Sequence, residues 1–559
     1  MAKAAPLDTS RIVAQTSIVR NHNIALKRRS ALHNIGARKP ANANAPISSW
    51  LRAFAMVICG LVLTNPTPAQ DLADFEKRLS EYHMPNGLTF LIYERSEAPV
   101  VSFFTYVDVG AAQEVPGITG LAHMFEHMAF KGTTRIGTTD YAAEKVVLAK
   151  IDQAYHAYDQ ERHKIGGPDP EKLKALEKTW KDAQEEADKY IVKNEFGEII
   201  DREGGVGLNA GTSSDSTVYF YSLPANKLEL WAHLESERFL DPVFREFYKE
   251  RDVVMEERRL RTDSQPIGRL LEQFNSTAFS AHPYKQPVVG YMSDLLSFSR
   301  EDAEQFHKTY YVPSNIVIAI VGDIKANETI PVLKRYFGRI PAGPPPPPLR
   351  TVEPAQIAER EVRMPDKSQP IYIEGYHKPA ATDPTEPIYN AISDLLSNGR
   401  TARLYRSLVR DKKIAAQAGA FPGFPGTKYP NEMIFFAIST PGHSNDEVQK
   451  ALREEINKLK EELVGDDELK MVKTRAKANL IRGLADNGGI AGALARNQAL
   501  YGNWRELFRS VEKIDKVTPE DIQRIARLTF VPNNRTVAMI VSEGPLRSEA
   551  HPVPSSKVE

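Results

Sequence analysis

Hydrophobic and polar positions along the chain predict strands in both of its halves. Runs rich in β-branched and aromatic residues, bounded by turn-forming residues, are typical of strands. In the first half they lie at 88–93, 100–107, 216–221 and 316–321, and in the second half at 371–373, 432–437 and 536–541. The run at 316–321 is apolar at every position, so we expect it to form a buried central strand.

Helical segments lie between these strands. The segment 121–130 predicts a helix, with Thr119 able to cap its start and Gly132 just past its end. Further helices are predicted at 227–239, 246–261, 386–397, 401–410, 445–464 and 467–485. Residues from about Tyr141 to Tyr190 are rich in Ala, Glu, Lys, Gln and Leu, and a Gly/Pro cluster at 166–170 divides them into two long helices. Their alternating charges suit a solvated hairpin packed along one apolar stripe at least as well as any functional role.

The order of these elements is similar in the two halves, which indicates a duplicated α+β unit. Five consecutive prolines at 344–348 form a semi-rigid spacer that cannot join a sheet, so we place the domain boundary there. The predicted organisation is a leader at 1–69, an N-terminal domain at 76–340 with a helical insertion at 141–200, a Pro-rich linker at 341–356, a C-terminal domain at 357–545 and a tail at 546–559.

Charge separates the start of the chain from the rest. The 559 residues carry 72 basic and 72 acidic side chains, but the first 69 hold nine basic groups against Asp8 alone. The remaining residues are therefore acidic overall, with 63 basic against 71 acidic side chains. Nucleic-acid binding needs a basic excess on the folded body, so the composition argues against a nucleic-acid partner.

The basic start is followed by an apolar run at 53–63 and a small-residue segment at 67–69, the pattern of a cleavable export signal. The run is too short to span a bilayer comfortably, so we expect no stable membrane span after cleavage. The only cysteine, Cys59, lies in this run, so the mature protein would need no disulfides in an oxidising compartment such as the bacterial periplasm. The alternatives are an uncleaved anchor and a true start codon downstream of Met1.

The strongest chemical signal is the segment His123-Met124-Phe125-Glu126-His127. On a helix, side chains four residues apart lie on one face, so His123 and His127 can bind one cation. Glu126 lies between them on the same side and can reach a water molecule at that cation. The order His-x-x-Glu-His is that of the inverted zincins.

A catalytic zinc ion normally has three protein ligands, and Glu257 is the best candidate for the third. Glu250 and Glu257 lie seven residues apart, two turns along one helix face, whereas Glu256 points elsewhere. Taken alone, this mixed acidic and basic segment would better suit a solvated helix with i,i+4 pairs.

Several segments resemble the M16 metallopeptidases, the pitrilysin and mitochondrial processing peptidase family that also includes insulin-degrading enzymes. They are 120–133 around the histidines, 208–210 with 215–219, 250–257, and 282–284 with 289–290. The resemblance covers nearly all of 76–545 and implies two homologous mixed α/β sandwich domains joined by the Pro-rich linker, with the zinc motif in the first. It implies one Zn²⁺ per chain, held by His123, His127 and Glu257, with Glu126 as general base. Glu250 matches an acidic residue near the metal that supports catalysis.

The resemblance also implies how a peptide would bind. Asn209 and Ala210 match the stretch where the main chain of the substrate pairs with an edge strand, and Arg410 matches a substrate-contacting arginine. Family members enclose their substrates in a chamber of four such domains. This chain supplies two, so it would form a homodimer, or a heterodimer with a related M16 subunit. The implied activity is that of an exported zinc endopeptidase that hydrolyses peptides or unfolded segments.

Two departures from the family pattern leave alternatives open. Glu257 follows His127 by 130 positions, more than is usual, and the helical pair accounts for the excess. Because the ligands lie outside this pair, its deletion is expected to leave zinc binding intact. Gln417 stands where many active members have a tyrosine, so the chain could instead be a zinc-bearing subunit active only beside a partner, or a non-catalytic assembly subunit. His282 precedes a proline and misses the helical ligand spacing, so we interpret it as structural.

Overall fold

The computed structural model describes residues 72–542. The chain divides into two compact units, the first ending at Arg78 and the second beginning at Leu79. The described part of the first unit is the helix α1 (Leu72–Arg78). The predicted leader at 1–69, including Cys59, and the predicted tail at 546–559 lie outside the described residues.

The second unit contains two sheets, of which the N-terminal one has six strands. These are β1 (Leu79–His83), β2 (Thr89–Glu94), β3 (Val100–Val107), β4 (Val206–Thr212), β5 (Thr217–Pro224) and β6 (Ile316–Gly322). Their order is β1-β2-β6-β3-β5-β4, with β2 and β6 parallel and the other neighbours antiparallel. The apolar strand β6 is interior, as its composition predicts, and β4 lies at one edge.

The C-terminal sheet repeats this topology. Its strands are β7 (Arg360–Asp366), β8 (Ile371–Lys378), β9 (Ala415–Phe424), β10 (Asn431–Ser439) and β11 (Arg535–Ser542). The order β7-β11-β8-β10-β9 has one parallel pair, β7 with β11, followed by antiparallel neighbours. Each strand therefore corresponds to one of β2, β6, β3, β5 and β4 in the first sheet. The predicted fold class, two related mixed α/β domains, is confirmed.

Helices cover both sheets. Those of the N-terminal half are α2 (Leu121–Met128), α3 (Tyr141–Arg162), α4 (Pro170–Ala187), α5 (Glu195–Arg202), α6 (Leu228–Leu240), α7 (Phe247–Arg258), α8 (Pro266–Ala278), α9 (Met292–Ser297), α10 (Arg300–Tyr310) and α11 (Ala326–Phe337). Those of the C-terminal half are α12 (Glu386–Ser397), α13 (Asn445–Glu461), α14 (Asp466–Gly483), α15 (Asn487–Tyr501), α16 (Glu506–Asp515) and α17 (Pro519–Thr529). Within residues 72–542, none of the helices combines the length and apolar character needed to cross a bilayer.

Two separate hydrophobic cores correspond to the two sheets. The first joins buried residues between Met84 and Ile340, and the second joins buried residues between Tyr372 and Met539. The long helices α3 and α4 contribute Leu148 and Trp180 to the first core. This helical pair is therefore part of the packed domain rather than a separate appendage.

The turn between β9 and β10 connects the C-terminal half to the N-terminal half. The buried carboxylate of Asp215 accepts hydrogen bonds from the Tyr284 hydroxyl at 2.5 Å and from the backbone N–H groups of Thr427 and Lys428 at 2.6 and 3.1 Å. A Cβ atom at Gly426 would lie 2.6 Å from an Asp215 oxygen, so a larger residue would push the two halves apart.

Several sequence-based boundaries are wrong. Helix α2 ends at Met128 rather than at 130. Thr119 does not cap it, because its oxygen accepts a hydrogen bond from the backbone N–H of Tyr291 at 3.0 Å and its hydroxyl donates to Asp294 at 2.7 Å. The segment predicted as a helix at 401–410 is a π-helix over Tyr405–Asp411. Strands β1, β7 and β9 are absent from the predictions, and β4 is implied only by the resemblance at Asn209 and Ala210. The many Gly and Ala residues of β4 and β9 give little strand signal.

Candidate metal centre

Helix α2 holds both histidines, and its start is fixed by a side chain from outside the helix. Gly120 precedes the helix with a φ of 94°, in the left-handed region that favours glycine. The buried carboxylate of Glu114 accepts hydrogen bonds from the N–H groups of Gly120 and Ala122, both at 2.7 Å. A carboxylate at this position satisfies free N–H groups of the first turn and interacts favourably with the helix dipole.

His123, His127 and Glu257 converge between α2 and α7. One potential ligand atom from each lies within 4.8 Å of the other two, the one such group found in residues 72–542. The Nε2 atom of His123 is 3.6 Å from Glu257 Oε1, and Nε2 of His127 is 3.4 Å from Glu257 Oε2. The structure thus brings together the three residues predicted as metal ligands.

These side chains fit a zinc ion. Two imidazoles and a carboxylate form one of the common donor sets of catalytic zinc sites. Nε2 of His127 is buried and makes no hydrogen bond within the described residues, an arrangement that is costly unless another group satisfies the nitrogen. Burial lowers the pKa of His123 to about 3, so this ring is neutral and able to coordinate a cation. Burial also lowers the pKa of His127, but contacts with Glu250 and Glu257 outweigh it and raise this pKa to about 9, so a cation that binds here displaces a proton from His127.

Glu250 contacts one of the three candidate ligands and is not itself part of the group. Its Oε2 atom lies 3.3 Å from Nδ1 of His127, so the carboxylate can fix the ring orientation that aims Nε2 at Glu257. Its other oxygen pairs with the ammonium group of Lys131. Burial alone would raise the pKa of Glu250, but the contacts with His127 and Lys131 outweigh burial and lower it.

Glu126 is buried on the same helix. Its Oε2 atom accepts a hydrogen bond from the Thr212 hydroxyl at 2.9 Å, which links the helix to the end of β4. Burial raises the pKa of Glu126 to about 7, although the hydrogen bond from Thr212 opposes this. A carboxyl group with a pKa near neutrality can both accept and return a proton.

The predicted peptide-binding residues lie on β4, at the edge of the sheet. Asn209 is partly exposed and Ala210 is buried, and the Asn209 side chain accepts a hydrogen bond from the Ala210 N–H at 2.9 Å. The pairing of β4 with β5 is irregular between Val206 and Asn209. Since Thr212 on the same strand contacts Glu126, the edge strand and the metal centre are adjacent.

The other residues considered in the sequence analysis do not join the three candidate ligands. Arg410 is exposed and pairs with its neighbour Asp411 at 2.6 Å. Glu256 is exposed and pairs with Arg259 at 2.9 Å. His282 is buried, and its Nδ1 atom accepts a hydrogen bond from the backbone N–H of Tyr284 at 3.2 Å, so its contacts are structural.

Sequence reasoning missed three residues that contact this group. Thr212 donates to Glu126, Lys131 pairs with Glu250, and the guanidinium of Arg261 pairs with Glu257. Arg261 follows Glu257 by four residues, a spacing that predicts an ion pair on a helix. The other two contacts depend on tertiary packing and leave no local signal.

Known proteins resemble most of the chain. The sequence model described as insulinase (peptidase family M16) matches residues 90–163 and 185–291, and the model described as peptidase M16 inactive domain matches 297–476. A zinc protease, PqqE, from Helicobacter pylori is 28% identical over 74% of this chain and 81% of its own length. The probable mitochondrial-processing peptidase subunit beta of Arabidopsis thaliana is 23% identical over 79% of this chain and 74% of its own.

A solved structure shares the fold as well. The crystal structure of a protease from Helicobacter pylori superposes with a TM-score of 0.69 at 25% identity, over 83% of this chain and 99% of that one. Together the two sequence models cover most of the span 90–476, and the three candidate ligands fall within the insulinase model. With both domain types present in order, the chain belongs to peptidase family M16, the insulinase family.

Proposed function

We propose that the protein is a zinc-dependent endopeptidase that hydrolyses peptides or unfolded segments, with one zinc ion per chain held by His123, His127 and Glu257. The observation that carries this proposal is the convergence of these ligand atoms to within 4.8 Å of one another beside the buried Glu126. Relatives that bear the name zinc protease support the same activity.

Each residue of the site has a separate role in the proposed hydrolysis. Bound zinc would polarise the peptide carbonyl and increase the acidity of a nearby water molecule. Glu126 takes a proton from the attacking water and passes it to the leaving amine. Glu250 keeps His127 in its ligating orientation. The substrate main chain adds to the edge of β4 at Asn209 and Ala210.

The complete peptidase would be a dimer that encloses its substrate, either of two copies or of this chain with a related M16 subunit. In such an assembly Arg410, which is exposed, would contact the substrate. A relative named as a subunit of mitochondrial-processing peptidase supports the heterodimer. The basic and apolar leader supports export to the bacterial periplasm.

Glu126→Gln tests the proposal most directly. The amide is nearly isosteric and cannot accept the proton, so the variant should retain zinc and lose at least 100-fold in cleavage of a quenched peptide. Zinc content and turnover are measured on the same preparation, with Glu256→Gln as the control. Substantial cleavage by a zinc-loaded Glu126→Gln protein would remove Glu126 from the role of base.

A second candidate function is that of a subunit inactive by itself. It is favoured by Gln417, which stands at the position of the family's tyrosine, and by the match of residues 297–476 to a domain described as inactive. A zinc-loaded protein that is inert alone, and that cleaves peptide once mixed with another M16 subunit, would identify this role. Activity of the purified protein alone would exclude it.

A further inference from the structure

The helical pair α3 and α4 packs directly against α7, the helix that carries Glu250 and Glu257. Arg251 of α7 is buried against three aromatic rings, with its guanidinium carbon 5.3 Å from the ring centre of Tyr155, 5.6 Å from that of Trp180 and 5.0 Å from that of Tyr248. Tyr155 belongs to α3 and Trp180 to α4, so both helices of the pair contact the Arg251 side chain. Such cation–π contacts are strongest where the cation is desolvated.

Hydrogen bonds complete this attachment. Nη1 of Arg251 donates to the Tyr155 hydroxyl at 3.1 Å and to the backbone carbonyls of Leu296 and Phe298 at 3.3 Å each. The Tyr155 hydroxyl in turn donates to the carbonyl of Ser297 at 2.9 Å. Arg251 therefore joins α7, the helical pair and the C-terminal end of α9 at one buried point.

A second attachment joins the pair to the loop that follows α2. Glu144 of α3 and Arg245 are both buried, and Arg245 Nε donates to Glu144 at 2.8 Å. The same guanidinium donates to the carbonyls of Lys131, Thr133 and Ile136 at 2.6, 2.7 and 2.9 Å. Lys131 is the residue that pairs with Glu250. The first turn of the helical pair thus supports a loop that touches the metal centre.

The geometry of α7 makes these contacts relevant to the ligands. At 100° per residue, Tyr248 lies roughly opposite Glu250 and Glu257 on the helix, and Arg251 lies about 100–120° around the helix from them, so the residues that contact the helical pair are on a different face from the two glutamates. Helix α7 is therefore held between α2, which carries the histidines, and the helical pair. Movement of α7 away from α2 would separate Glu257 from His123 and His127, and metal sites tolerate displacements of only about 0.5 Å.

We infer that the helical pair braces the metal centre, and that Arg251 is a positioning residue that sets the distance of Glu257 from the two histidines. The inference rests on the proposed zinc site, and it reverses the expectation that deletion of the pair would leave zinc binding intact. It assigns a role to an inserted segment whose middle, residues 164–184, falls outside the family match.

The experiment measures zinc affinity rather than activity. Apo protein is titrated with zinc against a chromogenic chelator, at a temperature where all variants are folded. Arg251→Met keeps an unbranched side chain of similar length but loses the charge and the hydrogen bonds, and it should weaken zinc binding about tenfold, the lower end of what supporting residues of metal sites contribute. Tyr155→Phe removes only the hydroxyl contact and should weaken binding about threefold. Arg251→Lys retains a donor and should recover part of the loss.

Arg453→Met is the control in the C-terminal half, where Arg453 donates to the Tyr372 hydroxyl at 3.1 Å and to the buried carboxylate of Glu374 at 2.9 Å. It should lower thermal stability without changing zinc affinity, so a general loss of stability cannot account for the effect at Arg251. Zinc affinities of Arg251→Met and Tyr155→Phe within twofold of the wild type would overturn the inference. If Arg251→Met does not fold, Tyr155→Phe decides alone. Failure of the wild-type protein to bind zinc would overturn the proposed function instead.

Discussion

Replacement of Glu250 by glutamine tests how far the environment of a ligand controls zinc binding. Glu250 Oε2 lies 3.3 Å from His127 Nδ1, and the side chain is 18% exposed. Glutamine is nearly the same size and retains an oxygen that can accept from Nδ1, so the change removes mainly the negative charge. We expect zinc to bind less tightly while the fold is maintained.

The magnitude follows from the distance and the surroundings. A His127 ring that coordinates zinc is neutral, so Glu250 acts on it through a charge-assisted hydrogen bond across 3.3 Å, and such a bond contributes about 1.5–3 kcal/mol. The ammonium group of Lys131 beside the other oxygen of Glu250 compensates part of this charge, and glutamine keeps part of the hydrogen bond. A loss of about 1.4–2.7 kcal/mol remains, which is a 10- to 100-fold increase in the dissociation constant for zinc.

The assay is the same chelator competition, with Glu256→Gln as the control. Glu256 lies on the same helix, is 57% exposed and pairs with Arg259, so the identical substitution there should change zinc affinity less than twofold. Equal affinities for Glu250→Gln and Glu256→Gln would refute the argument that Glu250 orients His127.

Three further predictions concern stability. Asp215→Asn replaces an acceptor shared by three donors and should lower the free energy of unfolding by about 1–3 kcal/mol in urea titrations. The control is Asp108→Asn, which affects the partly exposed ion pair with Lys428 and should lower the free energy of unfolding by less than about 1 kcal/mol. Burial lowers the pKa of His282 to about 4 from 6.5, so the unfolded chain takes up the proton first and stability falls as the pH drops below 6.5. His282→Asn keeps an acceptor for the Tyr284 N–H, and the loss of stability between pH 7 and pH 5 should shrink by about 2 kcal/mol. Glu114→Gln removes one of two helix-capping acceptors and should cost about 1 kcal/mol, with unchanged stability contradicting the capping role.

The part of the site that could be predicted from the sequence is the part that depends on the spacing of residues along one helix. His123, Glu126 and His127 share a helix, so their common face could be predicted from the sequence alone. Glu257 is 130 positions away, and its place beside them was implied by a resemblance rather than by any local pattern. The distances that join it to the histidines arise from packing between α2 and α7.

Contacts between distant segments explain what the sequence analysis missed. Thr119 is a residue type that often caps helices, but its oxygen accepts from the backbone N–H of Tyr291, 172 residues later, and its hydroxyl donates to Asp294, 175 residues later. The first turn of α2 is instead capped by Glu114, a side chain six and eight residues before its donors. Local propensity describes such positions poorly because tertiary partners decide between alternatives of similar energy.

The repeated topology of the two sheets has an evolutionary consequence. Helix α12 lies between β8 and β9, as α2 lies between β3 and β4, yet its sequence has no histidine and turns Ile388, Ile392 and Leu396 into the second core. After duplication of an ancestral half-length gene, selection for metal ligands would have to act on one copy only, while selection for folding acted on both. The half without candidate ligands was then free to diverge at the positions that correspond to His123 and His127 of α2.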